Sequence, residues 1–164
     1  MLHFVEAGVE ITLTYGDIDE AQAVIGVARA VLADGADPLD AILIEVARDL
    51  YVLMAELATA AENRPKLKPG TSLATVEMVK KLEDRVDEVT ELFDPPTEFV
   101  IPGGDLVAAH LDQARTVVRR AERSALGVAA AESSVGQYLN RLSDLLWSLA
   151  RWREGTSLPA REAR

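Results

Sequence analysis

The chain has 164 residues and no cysteine, a length that fits one domain with a real core and a composition that excludes disulfides, zinc–thiolate sites and thiol nucleophiles. Apolar residues make up 49% and aromatic ones only 5%, a palette rich in Ala, Leu and Val that suits helices packed on helices better than a β-sandwich. The net charge of −10 argues against broad nucleic-acid binding, and no apolar run is long enough to cross a bilayer.

A single domain over 1–164 is expected, with 1–15 as an N-terminal segment and 155–164 as a flexible tail. The opening MLHFVEAGVEITLTYG has no basic stretch followed by an apolar run, so no signal peptide is expected and the cytoplasm is the expected location. Val9, Ile11, Leu13 and Tyr15 alternate with polar residues and read as a short strand without an obvious partner. The first helix is predicted from Asp17 to Ala33, stopping at Asp34-Gly35. Asp37 as N-cap with Pro38 in the first turn opens the second, whose buried stripe is Leu43, Val46, Leu50, Leu53 and Leu57. Asn63 to Gly70, with two prolines, reads as a loop. A third helix, capped by Thr71 or Ser72, carries Val79, Leu82, Val86, Val89 and Leu92 and ends at Pro95-Pro96.

Glu98-Phe99-Val100-Ile101 reads as an extended linker between Pro and Gly punctuation. Asp105 then caps a fourth helix over Leu106 to Leu126, and a fifth spans Ser133 to Arg153. The fold class that emerges is all-α, a five-helix bundle.

On the fourth helix, Arg115, Arg119 and Glu122 fall within roughly 60° of one another, while Val117, Val118 and Ala121 are free to pack inward. Guanidiniums beside one carboxylate in an acidic protein suit a polyphosphate, because Arg grips phosphate oxygens through paired, charge-assisted bonds. Spacing alone favours a solvated, salt-bridged face, since such runs are common. On the fifth helix Leu139, Leu142, Leu146 and Leu149 form the buried stripe. Asn140, Asp144, Trp147 and Arg151 gather opposite, again within roughly 60°. There Trp147 either meets a ligand or a second subunit, or covers a groove between neighbouring helices. His3 and His110 are isolated and read as structural. There is no Ser–His–Asp grouping, no histidine pair at metal spacing and no common glycine-rich phosphate loop, so no protein-held metal is expected.

Three regions, the third a pair of helices, together resemble the PduO-type ATP:cob(I)alamin adenosyltransferases. Tyr15-Gly16-Asp17-Ile18-Asp19-Glu20 is similar to the family's Y-G-x-x-D-E helix opening, and Phe99-Val100-Ile101-Pro102-Gly103-Gly104 to its F-I-L-P-G-G linker. Ala114-Arg115-Thr116-Val117-Val118-Arg119-Arg120-Ala121-Glu122-Arg123 and Leu139-Asn140-Arg141-Leu142-Ser143-Asp144 resemble A-R-x-x-x-R-R-A-E-R and L-N-R-L-S-D. Order and spacing agree from about Tyr15 to Trp152.

The resemblance implies a ferritin-like up-down bundle forming a homotrimer, with sites between subunits that take ATP with Mg2+ and cobalamin as substrates. It implies transfer of the 5′-deoxyadenosyl group of ATP to cob(I)alamin, giving adenosylcobalamin and triphosphate. Arg119, Glu122 and Asn140 would lie at the ATP. Arg115 would pair with Asp19 of a neighbouring subunit and shape the site. Phe99 would lie at the corrin and displace its lower axial base. A reductase or a B12-dependent mutase is an implied partner; nucleic acid and membrane are not. Family members also carry a T-G-D-x-G-x-T segment that wraps the phosphates, upstream of the first helix. The fourteen residues before Tyr15 do not form it, and Thr14-Tyr15-Gly16-Asp17 aligns with the helix opening instead. The expectation is therefore either an N-terminally shortened version of the enzyme or a catalytically impaired relative that binds a corrinoid or a nucleotide.

Overall fold

The computed structural model describes residues 2–32 and 37–162, with side chains from residue 11 onward. Among these residues the protein is built on five helices: α1 (Leu2–Val31), α2 (Pro38–Leu57), α3 (Val76–Thr90), α4 (Leu106–Ala125) and α5 (Val135–Glu154). A 3-10 turn, Ala61–Lys66, interrupts the predicted 63–70 loop. α1 packs on α2 and α4, α4 packs on α5, and α5 packs on α3. None of these helices is long and apolar enough to cross a membrane.

The first helix corrects the sequence reading most. The 9–15 stretch is not a strand but part of α1, which runs without a break through Asp17. Leu13 is 61% exposed while Thr14 is buried, and the helical stripe Thr14, Ile18, Ala21, Ile25 and Ala28 is sealed throughout. Steps of four and three place those side chains on one face, and this repeat overrides the alternation of Ile11, Leu13 and Tyr15. The predicted stop at Asp34-Gly35 lies outside the described residues.

Asp37 caps α2 as expected, its carboxylate accepting from the Leu39 N–H, and the predicted stripe from Leu43 to Leu57 is buried. α3 starts later than predicted. Its cap is Thr75, which accepts from Met78 N–H, while Ser72 accepts from Lys68 N–H in the preceding turn. The helix ends at Thr90, short of the prolines, so Leu92 has left the helical stripe and stands 59% exposed. Asp105 caps α4 through the Ala108 N–H.

The predicted leucine stripe of α5 is fully buried, and Leu142→Ala or a similar truncation there would open a cavity at the centre of the bundle. Two polar contacts pin the core. Tyr138 Oη donates to Asp49 Oδ2 at 2.9 Å. Burial pushes the Asp49 carboxyl up and the Tyr138 phenol well above its ordinary value. The buried Glu56 carboxylate accepts from Ala74 N–H (2.7 Å), Ser133 Oγ (2.6 Å) and Arg64 Nη2 (3.2 Å), joining α2 to the loops before α3 and α5.

One short pairing follows α5. Leu158–Pro159 form a strand, β2, antiparallel to β1 (Val100–Ile101), with Val100 opposite Pro159 and Ile101 opposite Leu158. Ala160 N–H donates to Phe99 O at 2.8 Å. The linker thus supplies the partner edge that neither short apolar segment has by itself.

Candidate functional site

α4 presents its charged residues along one side because Val117, Val118 and Ala121 are drawn into the core. At its middle, Arg119 Nη1 donates to Glu122 Oε2 at 2.5 Å, and Asn140 Nδ2 on α5 donates to Glu122 Oε1 at 2.9 Å. Glu122 therefore holds a guanidinium and an amide at one place, as the i, i+3 spacing and the α4–α5 packing require. Arg119 remains 45% exposed, so its other N–H groups face solvent and can meet an anion.

Arg120 is committed elsewhere. Its Nε donates to Asp17 Oδ1 at 2.8 Å and its Nη2 to Glu20, while Ser124 Oγ donates to Asp17 Oδ2. The Asp17 hydrogen bond, followed by the field of both acids, raises the guanidinium's proton affinity above its ordinary value. The acids at the start of the predicted first helix thus lie within α1, where they tie it to α4 instead of capping a terminus. Asp19, on the same turn, is exposed and has no ion pair among the described residues. Arg115, one turn before Arg119, donates through Nε to Asp112 Oδ1 at 3.4 Å within its own chain.

Beyond Arg115 lies a cleft of about 410 Å3, lined by the linker residues Thr97, Phe99 and Val100 on one side and Asp112, Arg115, Trp147 and Arg151 on the other. Phe99 stands at its edge, 91% exposed. Trp147 is half-buried in the cleft wall with its ring 6.2 Å from that of Phe93, so it both covers a groove and faces open space. The walls combine apolar and aromatic surface with the charges of Glu98, Asp112, Arg115 and Arg151, so they suit a ligand with both apolar and polar parts.

The polar stripe predicted on α5 does not form one site. Asn140 joins Glu122, Asp144 pairs with Arg141 at the surface (3.0 Å), and Trp147 lines the cleft. Arg151 is buried, only 2% exposed, with Nη2 donating to Asp112 Oδ2 at 2.5 Å. Asp112 and Glu154 were not read from the sequence as site residues. An Asp three residues before Arg115 and a Glu three after Arg151 were the available signal, since i and i+3 share a helical face. His110 sits beside Gln113, its Nδ1 3.4 Å from Gln113 Oε1.

Residues 9–153 match the cobalamin adenosyltransferase family. The chain is 37% identical over 157 residues to a corrinoid adenosyltransferase of Mycobacterium bovis, covering 87% of this chain and 80% of that relative. It is 37% identical over 144 residues to the corrinoid adenosyltransferase of Bacillus subtilis, covering 84% and 71%. Its fold matches that of a PduO-type ATP:corrinoid adenosyltransferase variant from Lactobacillus reuteri complexed with cobalamin and ATP, with a TM-score of 0.81 and 25% identity over 93% of this chain and 86% of the other.

Proposed function

The chain belongs to the cobalamin adenosyltransferase family, and from that premise we propose how its own residues serve corrinoid adenosylation. The protein is a corrinoid adenosyltransferase whose substrates are ATP, carried with Mg2+, and a cobalamin. The observation that carries the residue assignment is adjacency. The Arg119–Glu122–Asn140 cluster and the cleft under Phe99 share α4, and Arg115 at the cleft precedes Arg119 by one turn, about 6 Å along the axis. A polyphosphate on one and a flat macrocycle in the other would bring their reacting atoms together.

In this reading Arg119 meets the triphosphate, while Glu122 fixes its guanidinium and Asn140 from opposite sides. Phe99 lies against the lower corrin face and excludes water and the dimethylbenzimidazole base. Cobalt without an axial ligand is more easily reduced, since nothing then stabilises its oxidised state. The cobalt(I) lone pair forms a bond to C5′ of ATP as the C5′–O bond breaks, and its electron pair leaves with triphosphate. No protein nucleophile or general base is needed; the chain positions two reactants and stabilises the leaving charge.

The assembly we propose is a homotrimer of ferritin-like up-down bundles in the cytoplasm, with a reductase supplying the electron and a B12-dependent mutase receiving the product. Asp19, exposed and without an ion pair among the described residues, supports a contact with a neighbour's Arg115, for which Asp112 holds the guanidinium in place. The test is magnetic circular dichroism of cob(II)alamin with protein and ATP, followed by adenosylcobalamin formation under a reductant. The parent protein is expected to give the four-coordinate cobalt signature and turn over. Phe99→Ala is expected to lose most of both, with helix content unchanged. An active parent whose Phe99→Ala variant kept signal and rate would refute the role of Phe99. A parent that bound cob(II)alamin only as the five-coordinate form and gave no product would make this chain a corrinoid carrier.

A further inference from the structure

Phe99 is an exposed side chain on a segment with little packing of its own, yet the role assigned to it requires a fixed ring. The holding force comes from the far end of α5. Glu154 Oε1 accepts from Gly104 N–H at 3.0 Å, and the Glu154 side chain is only 2% exposed. The approach is close: a Cβ at Gly104 would lie 2.8 Å from that same oxygen, so a larger residue there would make the carboxylate shift. Gly103 before it sits at φ +120°, a conformation side chains rarely adopt, which turns the chain out of the linker and into α4.

Glu154 is itself held. Its Oε2 lies 3.4 Å from Arg151 Nη2 and accepts from Ser157 Oγ at 3.2 Å. Arg151 Nη2 is shared with Asp112 Oδ2, and Asp112 Oδ1 accepts from Arg115. Arg151 lines both clefts that flank residues 96–100, so the buried ion cluster lies directly under the linker. Arg151 Nε is buried with no partner among the described residues. A cluster with an unsatisfied donor is poor value as a stabilising device, because buried ion pairs seldom outperform apolar packing and orphaned donors subtract from them.

We propose that Glu154, braced by the Arg151–Asp112 ion pair, is a positioning residue that fixes the Gly103-Gly104 turn and thereby the ring of Phe99 at the corrin face. The same pair anchors Arg115, so one buried cluster aligns the corrin side of the site with the triphosphate side. This rests on the reading of Phe99 above. It predicts that Glu154 acts only through Phe99, and that the bond to Gly104 needs an acceptor oxygen, not a charge.

The experiment measures the four-coordinate cob(II)alamin signal, kcat and the KM for ATP in the full-length protein. Glu154→Ala is expected to lose at least four-fifths of the signal and at least tenfold in kcat, with the KM for ATP within twofold of the parent. Glu154→Gln, which keeps the acceptor, is expected to retain more than half of the signal. In the double variant with Phe99→Ala, Glu154→Ala is expected to add no further loss. An unchanged signal in Glu154→Ala, or losses that multiply in the double variant, would overturn the proposal while leaving the role of Phe99 intact. Should Glu154→Ala not fold, Glu154→Gln and Gly104→Ala carry the test: the first must keep the signal and the second, which displaces the carboxylate, must lose it; the opposite order overturns the proposal. A parent without four-coordinate cobalt removes both this inference and the reading beneath it.

Discussion

Arg119 and Arg120 are neighbours in sequence with opposite commitments, so their truncations should separate cleanly. Arg119 spends one N–H on Glu122 and keeps the rest toward solvent, whereas Arg120 is engaged by Asp17 and Glu20 across the α1–α4 seam. Removing a charge-assisted hydrogen bond to phosphate costs about 1.5–3 kcal/mol, which is roughly a tenfold to 150-fold weaker Kd at 1.4 kcal/mol per decade. Arg119→Ala is therefore expected to weaken ATP or triphosphate binding by that factor in calorimetry. Its pair with Glu122 is half exposed, so stability should fall by less than about 1 kcal/mol. Arg120→Ala should leave the Kd within about twofold, since its guanidinium is held by Asp17 and Glu20 and its Cβ lies roughly 100° around the helix from that of Arg119. Its loss appears instead in urea unfolding. The two α1 contacts lie at a partly exposed seam, and about 0.5–1.5 kcal/mol is the expected cost. Equal effects of the two variants on ATP binding would refute the assignment of the phosphate site. So would a loss of affinity for Arg120→Ala alone.

The assembly is tested by light scattering at micromolar concentration, where three subunits are expected and a clean monomer would remove the pairing of Asp19 with a neighbour's Arg115. Glu56→Ala should destabilise the chain by about 1–3 kcal/mol in urea unfolding, because the Ala74 N–H and the part-buried Ser133 hydroxyl lose their acceptor; a change below about 0.5 kcal/mol would show that the three-way junction is not a structural anchor. Asp49 is a carboxyl whose folded pKa is raised by burial above its ordinary value of 3.8, so folding favours its protonated form. Relative to Asp49→Asn, the parent should gain stability as pH falls through the folded pKa toward 3.8, and lose that gain as pH rises again; an opposite slope would mean that the Tyr138 hydrogen bond outweighs desolvation.

The helices were legible wherever one residue class recurred at helical spacing beside a cap. Asp37-Pro38 and the stripe from Leu43 to Leu57 specified α2, and Asp105 specified the start of α4, because local capping and burial there agree. The early part of α1 was not legible as helix, because Ile11, Leu13 and Tyr15 share a strand-like alternation while the sealed face starts from a threonine. Thr14 is fully buried, and a polar residue at that point hid the stripe that continues through Ile18 and Ala21. The start of α3 was misplaced for a related reason. Thr71, Ser72 and Thr75 are all chemically competent caps, and the choice is made by the 68–73 turn, where Ser72 is already used.

The candidate site divides along the same line. Arg119, Glu122 and Asn140 come together because each depends on a single helix pair, and helix periodicity predicts relations of that kind. Phe99 could be named from its linker, but what holds it could not, since Gly104 and Glu154 are 50 residues apart and meet only when the end of α5 folds against the start of α4. Arg151 shows the limit from the other side. Its angular position matched Asn140 and Trp147, yet a guanidinium's reach lets it turn inward to Asp112, and no helical wheel records that choice. Periodicity assigns a face to a Cβ, not to the end of a long side chain. With a ligand held as proposed, against helix ends and linkers, the ends of Arg and Glu side chains would do much of the positioning, so the contacts that brace a site are less legible than the residues proposed to touch its ligand.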